Sequence, residues 1–293
     1  ELARHSLERA LALDEHDACT LADLANVLRL SGDLNAAERN YRRALSIDTN
    51  LKSARIGLAA LLDARQRGEE AIALLKPLLG ARPCESALKE AVRILDRHGK
   101  HLEAIRLSES FLARHPANAE AHACLGFLLL KRELDAEAAL EHFARAAIAR
   151  GTDCELLANR GIALQDLGQV DEAIANYEAA LQLNPNFHLA RFHRGLARLL
   201  VGDYALGWPD YEFRLMSEGK PKPAFRAPRW SGQECPEGTV LVYAEQGIGD
   251  EIMFASCIPE VIQRCKRVVI DCAPKLAPIF SRSFPEASVH GGI

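Results

Sequence analysis

The chain has 293 residues, 48% of them hydrophobic and 6% aromatic, and a formal net charge of −4. That length suggests about two domains with ample apolar content for a core, and the weak charge gives no support to a nucleic-acid or anionic-membrane surface. No apolar run is long enough to span a membrane, and no signal peptide opens the observed start. The eight cysteines occur without a CxxC pair, so neither a metal site nor a disulfide framework is indicated. They read as buried thiols in a reducing, cytoplasmic compartment.

From the first residue the chain repeats itself at intervals of about 34. Residues 1–13 read as the second helix of a hairpin, because Ala3, Leu7 and Ala10 return as Ala37, Tyr41 and Ala44. Units at 18–51, 52–84, 85–118 and 119–153 follow, the last with one extra residue that a turn can absorb. The clearest unit is 154–187. There Leu157, Leu164 and Leu167 line one face of a first helix, and Val170, Ile174, Tyr177 and Leu181 one face of a second. Gly168 ends the first helix, Asp171 opens the second as a cap or first-turn acid, and Asn184-Pro185 stops it. Gly161 and Ala173 are expected to face each other, letting the two axes come close. Gly161, Gly168 and Tyr177 recur as Gly195, Gly202 and Tyr211 in the unit at 188–221.

A ~34-residue period of two helices marks a tetratricopeptide (TPR) array. The fold expected is mainly α: thirteen helices over 1–217, a half repeat plus six repeats, stacked as a right-handed superhelix or α-solenoid, because one hairpin cannot bury its own apolar stripe. The concave face should be lined by first helices and take a protein or peptide ligand. Its inward residues include Asn26, Arg29, Ser53, Lys89, Arg93, Asp96, Glu120, Asn159, Gln165 and His193, a set of mixed charge that also fits an ordinary solvated face. The Lys, Arg and Asn carboxylate clamp of chaperone-binding TPR proteins does not assemble here. The asparagine ladder of the O-GlcNAc transferase superhelix, matched by Asn159, is replaced by Asp23, Gly57, Glu90, Cys124 and His193.

The last second helix carries Trp208, Tyr211 and Phe213 in place of small residues, which suits an aromatic cap on the array. Residues 218–238, with Pro221, Pro223, Pro228 and Pro236, read as an extended junction. Residues 239–293 then read as the start of a Rossmann-like α/β domain: strand 239–244, glycine turn 246–250, helix 251–264 kinked at Pro259, strand 267–272 and helix 274–283. Some 55 residues cannot make a sheet covered on both faces, so a longer domain is expected. Gly247 and Gly249 give only GxG, with Ile252 at the third glycine position, which disfavours NAD or FAD. The loop could still seat a phosphate or developing anion, and Asp250 could simply cap the helix.

Gly207, Trp208, Tyr211, Glu212, Arg214, Trp230, Gly232, Glu245, Gln246, Gly247, Gly249, Asp250 and Pro259 resemble the junction of bacterial proteins that join TPR repeats to a GT-B glycosyltransferase of the heptosyltransferase type. The resemblance spans about 207–272. It implies Asp250 as the base that deprotonates an acceptor hydroxyl, and a nucleotide sugar bound by a second domain outside this chain. On that reading the chain holds no cofactor, binds, and does not catalyse alone.

Overall fold

The computed structural model of the chain describes residues 2–80, 84–217 and 227–292. It divides into two compact units, Glu1–Lys220 and Pro221–Ile293. Of the proline-rich junction, residues 218–226, Pro221 and Pro223 among them, lie outside the described residues.

The first unit is an α-solenoid. Its helices are α1 (Leu2–Leu13), α2 (Ala18–Leu30), α3 (Leu34–Ile47), α4 (Lys52–Ala64), α5 (Gly68–Leu75), α6 (Glu85–Arg97), α7 (His101–Arg114), α8 (Ala119–Leu128), α9 (Ala136–Arg150), α10 (Cys154–Asp166), α11 (Val170–Leu183), α12 (His188–Leu200) and α13 (Tyr204–Tyr211). A 3-10 turn, Lys76–Leu79, prolongs α5, and a fourteenth helix, α14 (Arg214–Ser217), follows the thirteen expected. The even-numbered helices α2 to α12 are the first helices of six hairpins. Side-chain oxygens of Asp17, Asp33, Asn118, Asp135, Asp153 and Asp203 accept the orphan amides at helix starts. Asp171 lies in the first turn of α11, after the N-cap Gln169.

Each first helix ends in a left-handed residue. Gly32, Gly99, Gly168 and Gly202 take this place with φ between 74° and 88°, and Gln66 (62°) and Leu134 (55°) take it without being glycine. The inserted residue of the 119–153 unit is absorbed as a π-helical turn, Leu129–Glu133, at the end of α8, a widened turn that one extra residue forces on an otherwise regular helix.

The core of the unit is Ala/Leu-rich, with Tyr41, Phe111, Phe143 and Tyr177 of the second helices fully buried. Glycines of the first helices receive three of these rings, Gly57 that of Tyr41, Gly126 that of Phe143 and Gly161 that of Tyr177. A Cβ on Gly161 would stand 2.5 Å from the Tyr177 ring, and one on Gly126 2.7 Å from the Phe143 ring. Gly161 therefore makes room for the Tyr177 ring, and at the equivalent Gly126 the backbone oxygen of Ala139, the counterpart of Ala173, also lies 3.1 Å from where a Cβ would stand.

The second unit has three parallel strands, β1 (Cys235–Tyr243), β2 (Cys265–Cys272) and β3 (Ser288–Gly291), in the order β1-β2-β3. β1 begins earlier than expected, and a register shift falls between Cys235 and Thr239. The stretch expected as one helix is α15 (Ile248–Phe254), a 3-10 turn (Ala255–Cys257) and α16 (Ile258–Arg264). The break precedes Pro259, because proline fits the first turn of a helix, where no amide is needed. α17 (Ala277–Ser283) crosses to β3. Val240, Val268, Ile270, Cys272, Ile258 and Phe280 form the core.

The thiols are more varied than expected. Cys84, Cys124, Cys265 and Cys272 are buried, Cys154 and Cys235 partly so, and Cys19 and Cys257 are exposed.

Candidate peptide-binding face and glycine loop

Within the repeat unit, first helices pack on one another (α2 on α4, α4 on α6, α6 on α8, α10 on α12), while second helices pack on first helices. That arrangement sets the first helices side by side along one face of the array. The direct packing weakens between α8 and α10, where α9 carries the contact. Across this gap Lys89 Nζ of α6 reaches Glu155 Oε2 of α10 at 2.6 Å, 66 residues apart. Both side chains are about half exposed.

Several residues read as groove-facing have partners inside the array. Asn26 accepts the Tyr41 hydroxyl at 2.7 Å, and Gln165 accepts that of Tyr177 at 3.2 Å, so both hold a ring of their own hairpin. His193 stacks on Tyr177 with ring centroids 6.0 Å apart, and burial pushes its pKa down to about 4. Arg29 has a buried Nε without a partner among the described residues. Asn159 is half-buried. Arg93 pairs with Glu90 at 2.6 Å and Asp63 at 3.2 Å, leaving a third of its side chain open. Lys89 and Arg93 thus remain the accessible cations of the expected set.

A second feature was not legible. Asp63, fully buried in the last turn of α4, receives Arg97 and His98 from the next hairpin, and Asp96 in the last turn of α6 receives Lys131 at 3.0 Å and Arg132 at 2.5 Å. Arg150 similarly reaches Glu120, and Arg194 and Arg198 converge on Asp210. The signal was present as an acid ending one first helix and a base 34–36 residues on.

In the α/β unit, Gly247 is the N-cap of α15 and its amide donates to Asp250 Oδ2 at 3.2 Å. One amide of the loop is thereby filled by the chain's own carboxylate. A Cβ on Gly249 would meet nothing within 4 Å, so packing does not demand a glycine there. Glu251 accepts the Ala273 amide at 2.9 Å, tying the start of α15 to the end of β2. At that end Asp271 Oδ1 is buried with no hydrogen-bond partner among the described residues. No group of three or more His, Cys, Asp or Glu among them is placed to hold a metal ion, and no helix of the described residues is long and apolar enough to cross a membrane.

Three family profiles, each described as tetratricopeptide repeat, match residues 28–95, 89–153 and 154–187. The chain is 28% identical to Protein FlbA of Caulobacter vibrioides over 293 positions, 96% of this chain and 48% of that protein. It is also 28% identical to Protein O-mannosyl-transferase TMTC1 of Homo sapiens over 200 positions, 67% of this chain and 22% of that protein. It therefore spans about half or less of these relatives. Among solved structures, the Cut9-Hcn1 hetero-tetramer of the APC/C superposes with a TM-score of 0.60 at 18% identity, covering 75% of this chain and 44% of that one. Pseudomonas aeruginosa pilF superposes at 0.54 and 15%, covering 71% and 94%. Repeat period, hairpin geometry and profiles agree that residues 28–187 are an array of tetratricopeptide repeats.

Proposed function

We propose that the repeat unit is a protein-interaction scaffold that holds an extended protein or peptide segment on the face made by its first helices. The observation that carries this reading is the Lys89–Glu155 bridge, which joins the first helices α6 and α10 across an intervening hairpin. A bound segment would exchange that exposed pair, worth little in water, for contacts of its own with Lys89 and Arg93. Probing an array of random peptides with the intact chain and with the Lys89→Glu/Arg93→Glu variant tests it. Peptides bound by the wild type should lose at least about tenfold in affinity, the worth of one charge-assisted contact; unchanged binding by the variant overturns this placement.

The finer reading is that the whole protein is a GT-B glycosyltransferase, that this repeat unit is its recognition arm, and that the α/β unit begins its acceptor-side domain. A nucleotide sugar is then the donor, and Asp250 takes the proton of the acceptor hydroxyl. Supporting it are the parallel strand, glycine loop and helix in succession, which put the loop at the carboxyl end of a strand, where open α/β sheets bind their ligands, and the buried unpaired oxygen of Asp271 at the end of β2, which calls for a donor such as a hydroxyl. The free thiols support a reducing, cytoplasmic setting. A second reading, an adaptor without catalysis, is favoured by the Gly247 amide on Asp250, which gives that carboxylate a capping role. In the whole protein Asp250→Asn separates them: it keeps a good cap and should cut sugar transfer at least about 10²-fold. Full activity of the variant would leave Asp250 a cap.

A further inference from the structure

Two cysteines of the α/β unit stand side by side. Cys235, first residue of β1, pairs in register with Cys265, first residue of β2. Neighbouring strands run about 4.8 Å apart, within the Cα separation of about 4.4–6.8 Å that a disulfide spans. Both thiols belong to one apolar cluster. Three contacts hold the pair together: the strand pairing itself, the Arg264 Nη1 bond to the Gly232 carbonyl at 2.8 Å, and the Lys266–Glu237 ion pair. A Cβ on Gly238 would collide with Cys235 Sγ, so the glycine keeps the place of that thiol.

The two differ in access. Cys235 is partly exposed and can be reached by a small oxidant from solvent. Cys265 is buried, and burial first, then the neighbouring Cys235, pushes its thiol up.

We propose that Cys235 and Cys265 form a peroxide-responsive disulfide, with Cys235 the attacking and Cys265 the resolving thiol. The oxidant is hydrogen peroxide or an organic hydroperoxide. The Cys235 thiolate takes the terminal oxygen, giving a sulfenic acid and releasing hydroxide from hydrogen peroxide or the alkoxide from an organic hydroperoxide. The Cys265 thiol then displaces that hydroxyl, forming the S–S bond and releasing water. Two thiols are oxidised and one peroxide is reduced. The bond closes the 235–265 loop, which contains Gly247, Gly249 and Asp250, and so ties the start of both strands beneath the glycine loop.

The test uses the intact 293-residue chain carrying Cys257→Ser, which removes the exposed thiol from the same tryptic peptide. After treatment with a few equivalents of hydrogen peroxide, blocking of free thiols and trypsin under non-reducing conditions, the peptide spanning 230–264 should be linked to the dipeptide Cys265-Lys266, and reductant should separate them. In Cys265→Ser, Cys235 should instead be trapped by dimedone, which marks sulfenic acid. In Cys235→Ser, Cys265 should stay reduced. A Cys265 that remains alkylatable while Cys235 is oxidised to sulfinic acid, or a linkage of either to another cysteine or a second chain, overturns the proposal.

Discussion

At the scale of single residues, two kinds of glycine do opposite work. Gly161 is needed for space and Gly168 for its backbone angle. A Cβ on Gly161 would lie 2.5 Å from a fully buried ring, whereas one on Gly168 meets nothing but sits at φ 76°. Gly161→Ala should therefore cost about 1–3 kcal/mol by overpacking, and Gly168→Ala about 1 kcal/mol by left-handed strain, read as urea midpoints. The converse applies where the left-handed turn holds a side chain: Gln66→Gly and Leu134→Gly should each stabilise by up to about 1 kcal/mol, less the entropy that glycine adds to the unfolded chain. The glycine turns were legible because glycine announces positive φ; Gln66 and Leu134 were not, since the repeat imposes the angle on whatever residue stands there. His193 shows the same limit. Its place on a first helix suggested an accessible ligand, but its ring packs on Tyr177 and Phe192. Because its folded pKa is depressed to about 4 against about 6.5 when unfolded, the unfolded chain binds a proton the folded one refuses. Stability should fall as pH drops from about 6.5 to about 4, by up to about 3 kcal/mol. His193→Phe should flatten that slope in urea titrations at several pH values; an unchanged slope would refute the assignment.

At the scale of elements, the array is held twice over, by Ala/Leu packing and by the acid–base pairs between successive first helices. The apolar stripe was legible from period 3.6, and the hairpins from the ~34-residue recurrence. The pairs were not, because a lone Asp63 or Asp96 in a helical face reads as solvated until the next hairpin is laid against it. Asp63 has no exposed surface, while Arg93 and Arg97 keep over a third of theirs. Its removal therefore leaves bases that water can still reach. Asp63→Ala should cost about 2–4 kcal/mol, towards the low side of the loss for breaking a buried pair. Arg97→Ala should cost less than 1.5 kcal/mol, as one of several bases on the same carboxylate. Equal losses for the two variants would show that Asp63 relies on Arg97 alone. In the α/β unit the strands β1 and β2 were visible as apolar runs. β3 was not, because Ser-Val-His-Gly carries one apolar residue and becomes a strand only by pairing with β2.

At the scale of the molecule, the division into two compact units has a direct thermodynamic consequence. A solenoid is a chain of nearest-neighbour interfaces, whereas a small parallel sheet depends on contacts between residues far apart in sequence, so the two have no reason to share one transition. The two tryptophans allow each unit to be followed alone. Trp208 lies in α13 of the repeat unit, and Trp230 packs on the core of the α/β unit. In the Trp208→Phe and Trp230→Phe variants the remaining indole should report different urea midpoints, the mark of a departure from two-state unfolding. Adding Asp63→Ala should shift the midpoint reported by Trp208 and leave that of Trp230 in place, because mutations far apart with no shared partner act independently. Oxidation of Cys235 and Cys265 should do the reverse, moving only the Trp230 transition upward. Coincident midpoints that move together under both changes would mean that the chain unfolds as one cooperative body.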